Sequence, residues 1–256
     1  MSSAIWTPGA LRSEARGYRG RAWRLVEAQH RVSTLKLVDS LAEQAVLEDI
    51  LEASKPAMPE VCRGLDYLLA TPFRYRPYPH GSRFRRAGFT PGVWYGAERV
   101  ETALAEMVFY RVLFYAEAPE VPFPDSAADY TGFAVPLATI SALDLTAEPL
   151  LRDAALWRHP TDYGACQALA EAAREAGVEV LRAGSVRDPA GGANLAVLTC
   201  AAFGARAPVE RQVWRIRLGA RGAVAVRDHP AKGVEFGRDA FLADPRLADL
   251  RWDRGR

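Results

Sequence analysis

The 256-residue sequence lacks the marks of several common function classes. Its cysteines, Cys62, Cys166 and Cys200, are widely separated, odd in number and without a Cys-x-x-Cys step. That argues against a disulfide framework and for a reducing compartment. The histidines, His30, His80, His159 and His229, fall in no His-x-His or His-Glu-x-x-His pattern, so no metal site is expected. Gly-x-Ser-x-Gly is missing. Gly191-Gly192-Ala193-Asn194 is a tight glycine turn, but it matches neither a Walker loop nor the dinucleotide fingerprint. The longest apolar run, near Leu195–Ala205, falls well short of the roughly 20 residues a membrane helix needs. Met1-Ser2-Ser3-Ala4-Ile5-Trp6 has no basic region followed by an apolar stretch, so no signal peptide is expected. These absences predict a cytoplasmic protein without membrane contact.

Lysine is also scarce. Lys36, Lys55 and Lys232 stand alone, and every other basic side chain is an arginine. Two readings stay open: GC-rich codon usage, or guanidinium groups that grip phosphate with paired hydrogen bonds. The net charge of +2 lacks the basic excess of a general nucleic-acid binder. Half the residues are hydrophobic and a quarter charged, enough to fill a substantial core.

The pattern along the chain is a mixture of strands and helices. Residues 7–22, rich in Gly and Arg, read as an irregular surface lead-in. Ser40-Leu41-Ala42-Glu43 is a capping box, followed by Val46, Leu47, Ile50 and Leu51 at helical spacing and closed at Lys55-Pro56. Residues 60–70 suggest a short helix broken at Pro72. Phe73-Arg74-Tyr75 and Val93-Trp94-Tyr95 read as short strands. Val100, Ala103, Leu104, Met107 and Val108 mark the apolar face of a helix over 99–115. Phe133, Val135 and Leu137 alternate as in a half-buried strand. Thr161 or Asp162 is positioned to cap a helix through 168–176 that ends at Gly177. Val178–Leu181 and Leu195–Thr199 read as strands, and Val213–Leu218 with Ala223–Val226 as a hairpin. No regular β-α-β rhythm appears, so the class is α+β.

Individual residues give a first view of chemistry. Glu106 falls just off the apolar arc of its helix, where it can point along the core boundary into a cleft or simply into solvent. Arg74 stands between two aromatics on an expected strand and needs a carboxylate or an anionic ligand. Arg83, Arg85 and Arg86 form a basic loop, either solvated or phosphate-binding. Tyr95 can be ordinary strand core.

The ordered set Phe73-Arg74-Tyr75, Gly81-Ser82-Arg83-Phe84, Val93-Trp94-Tyr95-Gly96 and Glu101-Thr102-Ala103-Leu104-Ala105-Glu106 resembles the RES domain. That family is named for Arg, Glu and Ser residues, and its members are typically toxins of toxin–antitoxin pairs. Gly184-Ser185-Val186-Arg187-Asp188-Pro189, followed by Asn194-Leu195, matches the serine part. The resemblance covers about 73–203. It departs from the family at Ser82-Arg83-Phe84-Arg85, where Gly-Arg-Trp-Asn is usual. It departs again at Gly164-Ala165-Cys166-Gln167, which lacks the serine of some members and leaves Ser185 as the choice.

The resemblance implies an ADP-ribosyltransferase-like mixed sheet core with flanking helices. It divides the chain into an N-terminal helical extension, 1–72, and a catalytic domain, 73–256. It also implies cleavage of the nicotinamide–ribose bond of NAD⁺ as substrate, with water, inorganic phosphate or a protein as acceptor and no metal. Glu106 would face the ribose, and Arg74 and Arg83 the pyrophosphate. Tyr75 and Tyr95 would border the substrate, Tyr95 beside the nicotinamide. Ser185 and Asn194 would hydrogen-bond ribose or amide. A cognate antitoxin is the implied partner, with the Gly81–Pro91 loop, carrying Phe84 and Phe89, as a contact surface. Three functions remain: an NAD⁺ glycohydrolase or phosphorylase, a mono-ADP-ribosyltransferase, and a catalytically silent interaction protein.

Overall fold

A computed structural model describes residues 6–28, 37–75 and 78–253. His30, Lys36 and the start Met1–Ile5 lie outside the described residues. The chain opens with α1 (Pro8–Glu14), where Thr7 Oγ1 accepts from the Ala10 amide and Pro8 occupies the first turn. β1 (Arg16–Glu27) follows. The expected irregular lead-in is therefore corrected to a helix and a twelve-residue strand. Glycine and arginine obscure the strand pattern, and the stabilising partner, β3 (Ala128–Asp144), lies more than a hundred residues away. α2 (Leu41–Ser54) starts at the expected cap: Ser40 Oγ accepts from the Glu43 amide at 3.2 Å, while Glu43 reaches back to the Asp39 amide.

α3 (Tyr67–Arg74) takes in Phe73 and Arg74, so the strand expected there is corrected. Pro72 does not break this helix. Lacking an N–H, it cannot donate to the Leu68 carbonyl four residues back. The Trp94 indole supplies that bond instead, Nε1 donating to the Leu68 carbonyl at 3.1 Å. The contact is long-range and invisible to local spacing.

β2 (Trp94–Ala97) leads into α4 (Val100–Glu117), close to the expected limits. After β3 come α5 (Ala154–Trp157), α6 (Gly164–Glu175), β4 (Val180–Gly184), β5 (Ala193–Val197), β6 (Glu210–Gly219), β7 (Gly222–Arg227) and β8 (Lys232–Gly237). Gly177 ends α6 at φ +78°, and Gly222 makes the β6–β7 turn at φ +124°. Strand β8 was not foreseen, because two glycines and two charges hide its alternation.

The sheet order is β1-β2-β5-β4-β3-β6-β7-β8, and β1 also pairs with β3. The first five strands thus close into a ring, from which β6, β7 and β8 extend. Pairing is antiparallel except between β3 and β4. Ala22, Trp94, Phe133, Val135, Val180 and Leu195 form one buried cluster with α3 against it. α4 packs over β1, β3 and β6, and α6 over β4 and β5. This is the mixed α+β class expected from sequence. The helical extension over 1–72 does not describe residues 16–27, which belong to the same sheet, and α3 runs across the 72/73 boundary.

Cys62 and Cys200 form a disulfide across 138 residues of sequence, correcting the reading drawn from cysteine number. Cys166 is free and buried. The cysteine argument for a reducing compartment falls with that correction. Among the described residues, no helix is long and apolar enough to cross a membrane.

Candidate functional site

Glu106 sits half-buried on α4, at the edge of the helix face that enters the core. Its Oε1 accepts two hydrogen bonds, from Ser185 Oγ at 2.7 Å and from Asn194 Nδ2 at 2.5 Å. Ser185 follows β4 and is 2% exposed; Asn194 lies on β5. The serine proton has one direction to take. Ser185 Oγ already accepts from the amides of Arg187 (3.1 Å) and Asp188 (3.0 Å), so its own O–H points to Glu106. Ser185 and Asn194, both singled out from sequence and 79 and 88 positions from Glu106, thus meet at its carboxylate.

Arg83 approaches the same region from the loop after α3. Its Nη1 donates to the carbonyls of Trp157 (2.8 Å) and His159 (2.9 Å), and its guanidinium lies 4.7 Å from the Tyr163 ring centroid. Tyr110 joins these groups. Half of its surface is exposed, yet its hydroxyl is pushed above the usual range, first by desolvation, then by Tyr163 and Glu106, with Arg187 and Arg83 opposing. Arg187 is 5% exposed and ties the region together. It pairs with Asp244 at 2.7 Å, donates to the Pro160 carbonyl at 2.7 Å and lies over Phe109.

Tyr95, on β2, contacts the loop after α3. Its hydroxyl pairs with Ser82 Oγ at 2.8 Å and accepts from the Phe84 amide at 3.0 Å. Burial pushes the phenol up to about 12, against the two hydrogen bonds that lower it. Tyr95 therefore holds the loop that presents Arg83. Arg85 and Arg86 are not free charges. Arg85 bonds the carbonyls of Tyr75 and Thr90, and Arg86 bonds Glu171 through two nitrogens. Tyr75 contributes its carbonyl there, and its side chain is partly exposed.

Arg74 is not brought to this cluster. It is satisfied by Glu52 (2.6 Å) and the Pro56 carbonyl (2.5 Å), pinning α2 to the end of α3. The carboxylate partner demanded by its aromatic neighbours is Glu52. The same demand applied to Arg24 gives another answer. Arg24 lies on β1 within Ala22-Trp23-Arg24-Leu25-Val26, 5.5 Å from the Trp94 ring centroid. Among the described residues its guanidinium has no hydrogen-bond or carboxylate partner. Burial lowers it to about 10, and Tyr78 is the neighbouring group that opposes this. A charged group in an aliphatic strand was the available signal. Tyr110 was also accessible, four residues after Glu106 and hence on its helix face. Tyr163, in a loop before α6, gave none.

Among the described residues no group of three or more His, Cys, Asp or Glu side chains is placed to hold a metal ion. A separate cavity of about 340 Å³, lined by Glu14, Arg16, Tyr18, Asp144, Glu148 and Arg182 among others, does not include Glu106.

A mixed α/β domain with a helix-borne glutamate clasped by a serine and an asparagine from two strands is the class that fold and site define. The model of the RES domain matches residues 58–219, and the chain belongs to that family. A chain in the crystal structure of the M. tuberculosis MbcT–MbcA toxin–antitoxin complex is similar at 17% identity and TM-score 0.45, over 81% of this chain and 92% of that one. A sequence search of curated proteins gives no match.

Proposed function

We propose that this protein cleaves the nicotinamide–ribose bond of NAD⁺ and acts as the toxin of a toxin–antitoxin pair in the cytoplasm. The observation that carries the chemistry is the Glu106 carboxylate. Ser185 and Asn194 both bond its Oε1, which holds the group in place and leaves Oε2 to a ligand. Heterolysis at the ribose anomeric carbon sends the bonding pair to nicotinamide, which leaves neutral. The ribose becomes oxocarbenium-like, and a fixed carboxylate beside it stabilises the developing positive charge. Glu106 Oε2 is also suited to accept a ribose hydroxyl proton. Water then closes the reaction with loss of a proton, giving ADP-ribose; inorganic phosphate gives the 1″-phosphate.

Arg83 supplies positive charge for the pyrophosphate, with N–H groups beyond the one that bonds the Trp157 and His159 carbonyls. The aromatic rings of Tyr110 and Tyr163 border the region around Glu106. Membership of the RES family supports the toxin role, and an antitoxin that covers the site is the corresponding partner.

Purified protein mixed with NAD⁺, with and without phosphate, tests the reading through nicotinamide release and the identity of the ribosyl product. Free ADP-ribose marks a glycohydrolase, and ADP-ribose 1″-phosphate marks a phosphorylase. Release seen only with an added protein, which becomes labelled, marks transfer to that protein instead. No release under any of these conditions would reject NAD⁺ cleavage.

A further inference from the structure

Asp188 makes more contacts than a surface-turn aspartate requires. Its side chain is 4% exposed. Oδ2 accepts from Thr102 Oγ1 at 2.6 Å, from Arg99 Nη2 at 3.1 Å and from the Gly192 amide at 3.1 Å; Oδ1 accepts from the Ala190 amide at 2.9 Å. Burial alone would raise this carboxyl, yet the bonds from Thr102, Ala190 and Gly192 and the charge of Arg99 hold it below the usual carboxylate range. Thr102 itself is fully buried.

The spacing on α4 gives these bonds their meaning. Thr102 and Glu106 are four residues apart, one above the other on one helix face. Asp188 and Ser185 are three apart in the loop after β4. Two rungs therefore connect loop and helix: Asp188 with Thr102, and Ser185 with Glu106. The Asp188 amide closes the figure by donating to Ser185 Oγ. The loop fits this closely. A Cβ on Gly192 would lie 2.0 Å from Thr102 Oγ1 and 2.4 Å from Asp188 Oδ2, so a side chain there would drive the first rung apart.

We propose that Asp188, clasped to Thr102, is a positioning residue that sets Ser185 against Glu106 and so fixes the carboxylate facing the substrate ribose. This rests on the NAD⁺-cleavage reading. The clasp touches no substrate atom. Its effect reaches the reaction through the Ser185–Glu106 bond, where a shift of about 1 Å costs on the order of a hundredfold in rate.

The test uses Thr102→Val, Thr102→Ser and Asp188→Asn in the full chain, each checked for cooperative thermal unfolding and assayed well below its Tm. Valine keeps the shape and removes the donor; serine keeps the donor. A misplaced catalytic group predicts that Thr102→Val lowers kcat by about tenfold with KM within about twofold, that Thr102→Ser stays within about twofold of wild type, and that Asp188→Asn loses at least about tenfold. If Asp188→Asn does not fold, the threonine pair decides. Equal losses in the valine and serine variants, a raised KM at unchanged kcat, or a wild-type kcat in Thr102→Val would overturn the proposal. If wild-type protein releases no nicotinamide, it is the functional reading that fails. The clasp is then judged from crystal structures of wild type and Thr102→Val. Loss of the Ser185–Glu106 hydrogen bond in the variant supports it, and an unchanged contact overturns it.

Discussion

At the scale of single residues, the arginines divide into those that have spent their charge on the fold and those that have not. Arg74, Arg85 and Arg86 are engaged by Glu52, by carbonyls and by Glu171. Arg83 keeps donors beyond its two carbonyl bonds, and Arg24 has no hydrogen-bond partner among the described residues. Replacing Arg83 with Ala is expected to weaken ADP-ribose binding more than tenfold, which corresponds to about 1.4 kcal/mol or more. Isothermal titration reads this directly, and unchanged affinity would make Arg83 a loop anchor alone.

At the scale of elements, the Arg74 contacts join α2 to the end of α3 and lie apart from the Glu106 cluster. Arg74→Ala should speed amide exchange over α2, where no side chain is buried, and leave NAD⁺ turnover within about twofold of wild type. A large loss of turnover with unchanged exchange would return Arg74 to the site. The contrast with Glu106 shows what local pattern reveals. Periodicity places Glu106 at the edge of α4 because a helix buries its face by its own 3.6-residue period. α2 is equally legible through its Ser40 and Glu43 cap. The loops and strands bearing Ser185 and Asn194 were legible through their order along the chain. Their meeting at Glu106 Oε1 was not, since it depends on how β4 and β5 pair. Arg74 ends a helix rather than standing on a strand because the Trp94–Leu68 bond that sustains α3 past Pro72 comes from a distant strand. β1 carries no clean alternation, because of its glycines and arginines, and its pairing with β3 makes it a strand.

At the scale of the whole molecule, the closed ring, the Cys62–Cys200 link and the packed carboxyl-terminal segment hold the site between distant parts of the chain. Asp244 joins that last segment to Arg187. Burial alone would raise its carboxyl, but hydrogen bonds from Arg246 and the charges of Arg187 and Arg246 leave it below the ordinary value of 3.8. A carboxyl lowered in the folded state contributes stability fully above its unfolded value, and that stability is lost as pH falls through the folded one. Tm should therefore drop as pH is taken below about 4, and Asp244→Asn should flatten that drop while lowering Tm at neutral pH. An unchanged acid slope would remove this pair from the pH response. In cells, wild-type protein alone should arrest growth, while Glu106→Gln at matched levels should not, and the product of an adjoining reading frame should restore growth. Equal growth of wild type and variant would reject the toxin role and leave NAD⁺ chemistry standing. Cleavage of NAD⁺ at Glu106 can be followed through the ribose anomeric proton by NMR, with purified wild type and Glu106→Gln. Wild type should give steady loss of that signal with free nicotinamide appearing, and a folded Glu106→Gln protein should give none. Equal rates for the two would contradict cleavage at Glu106.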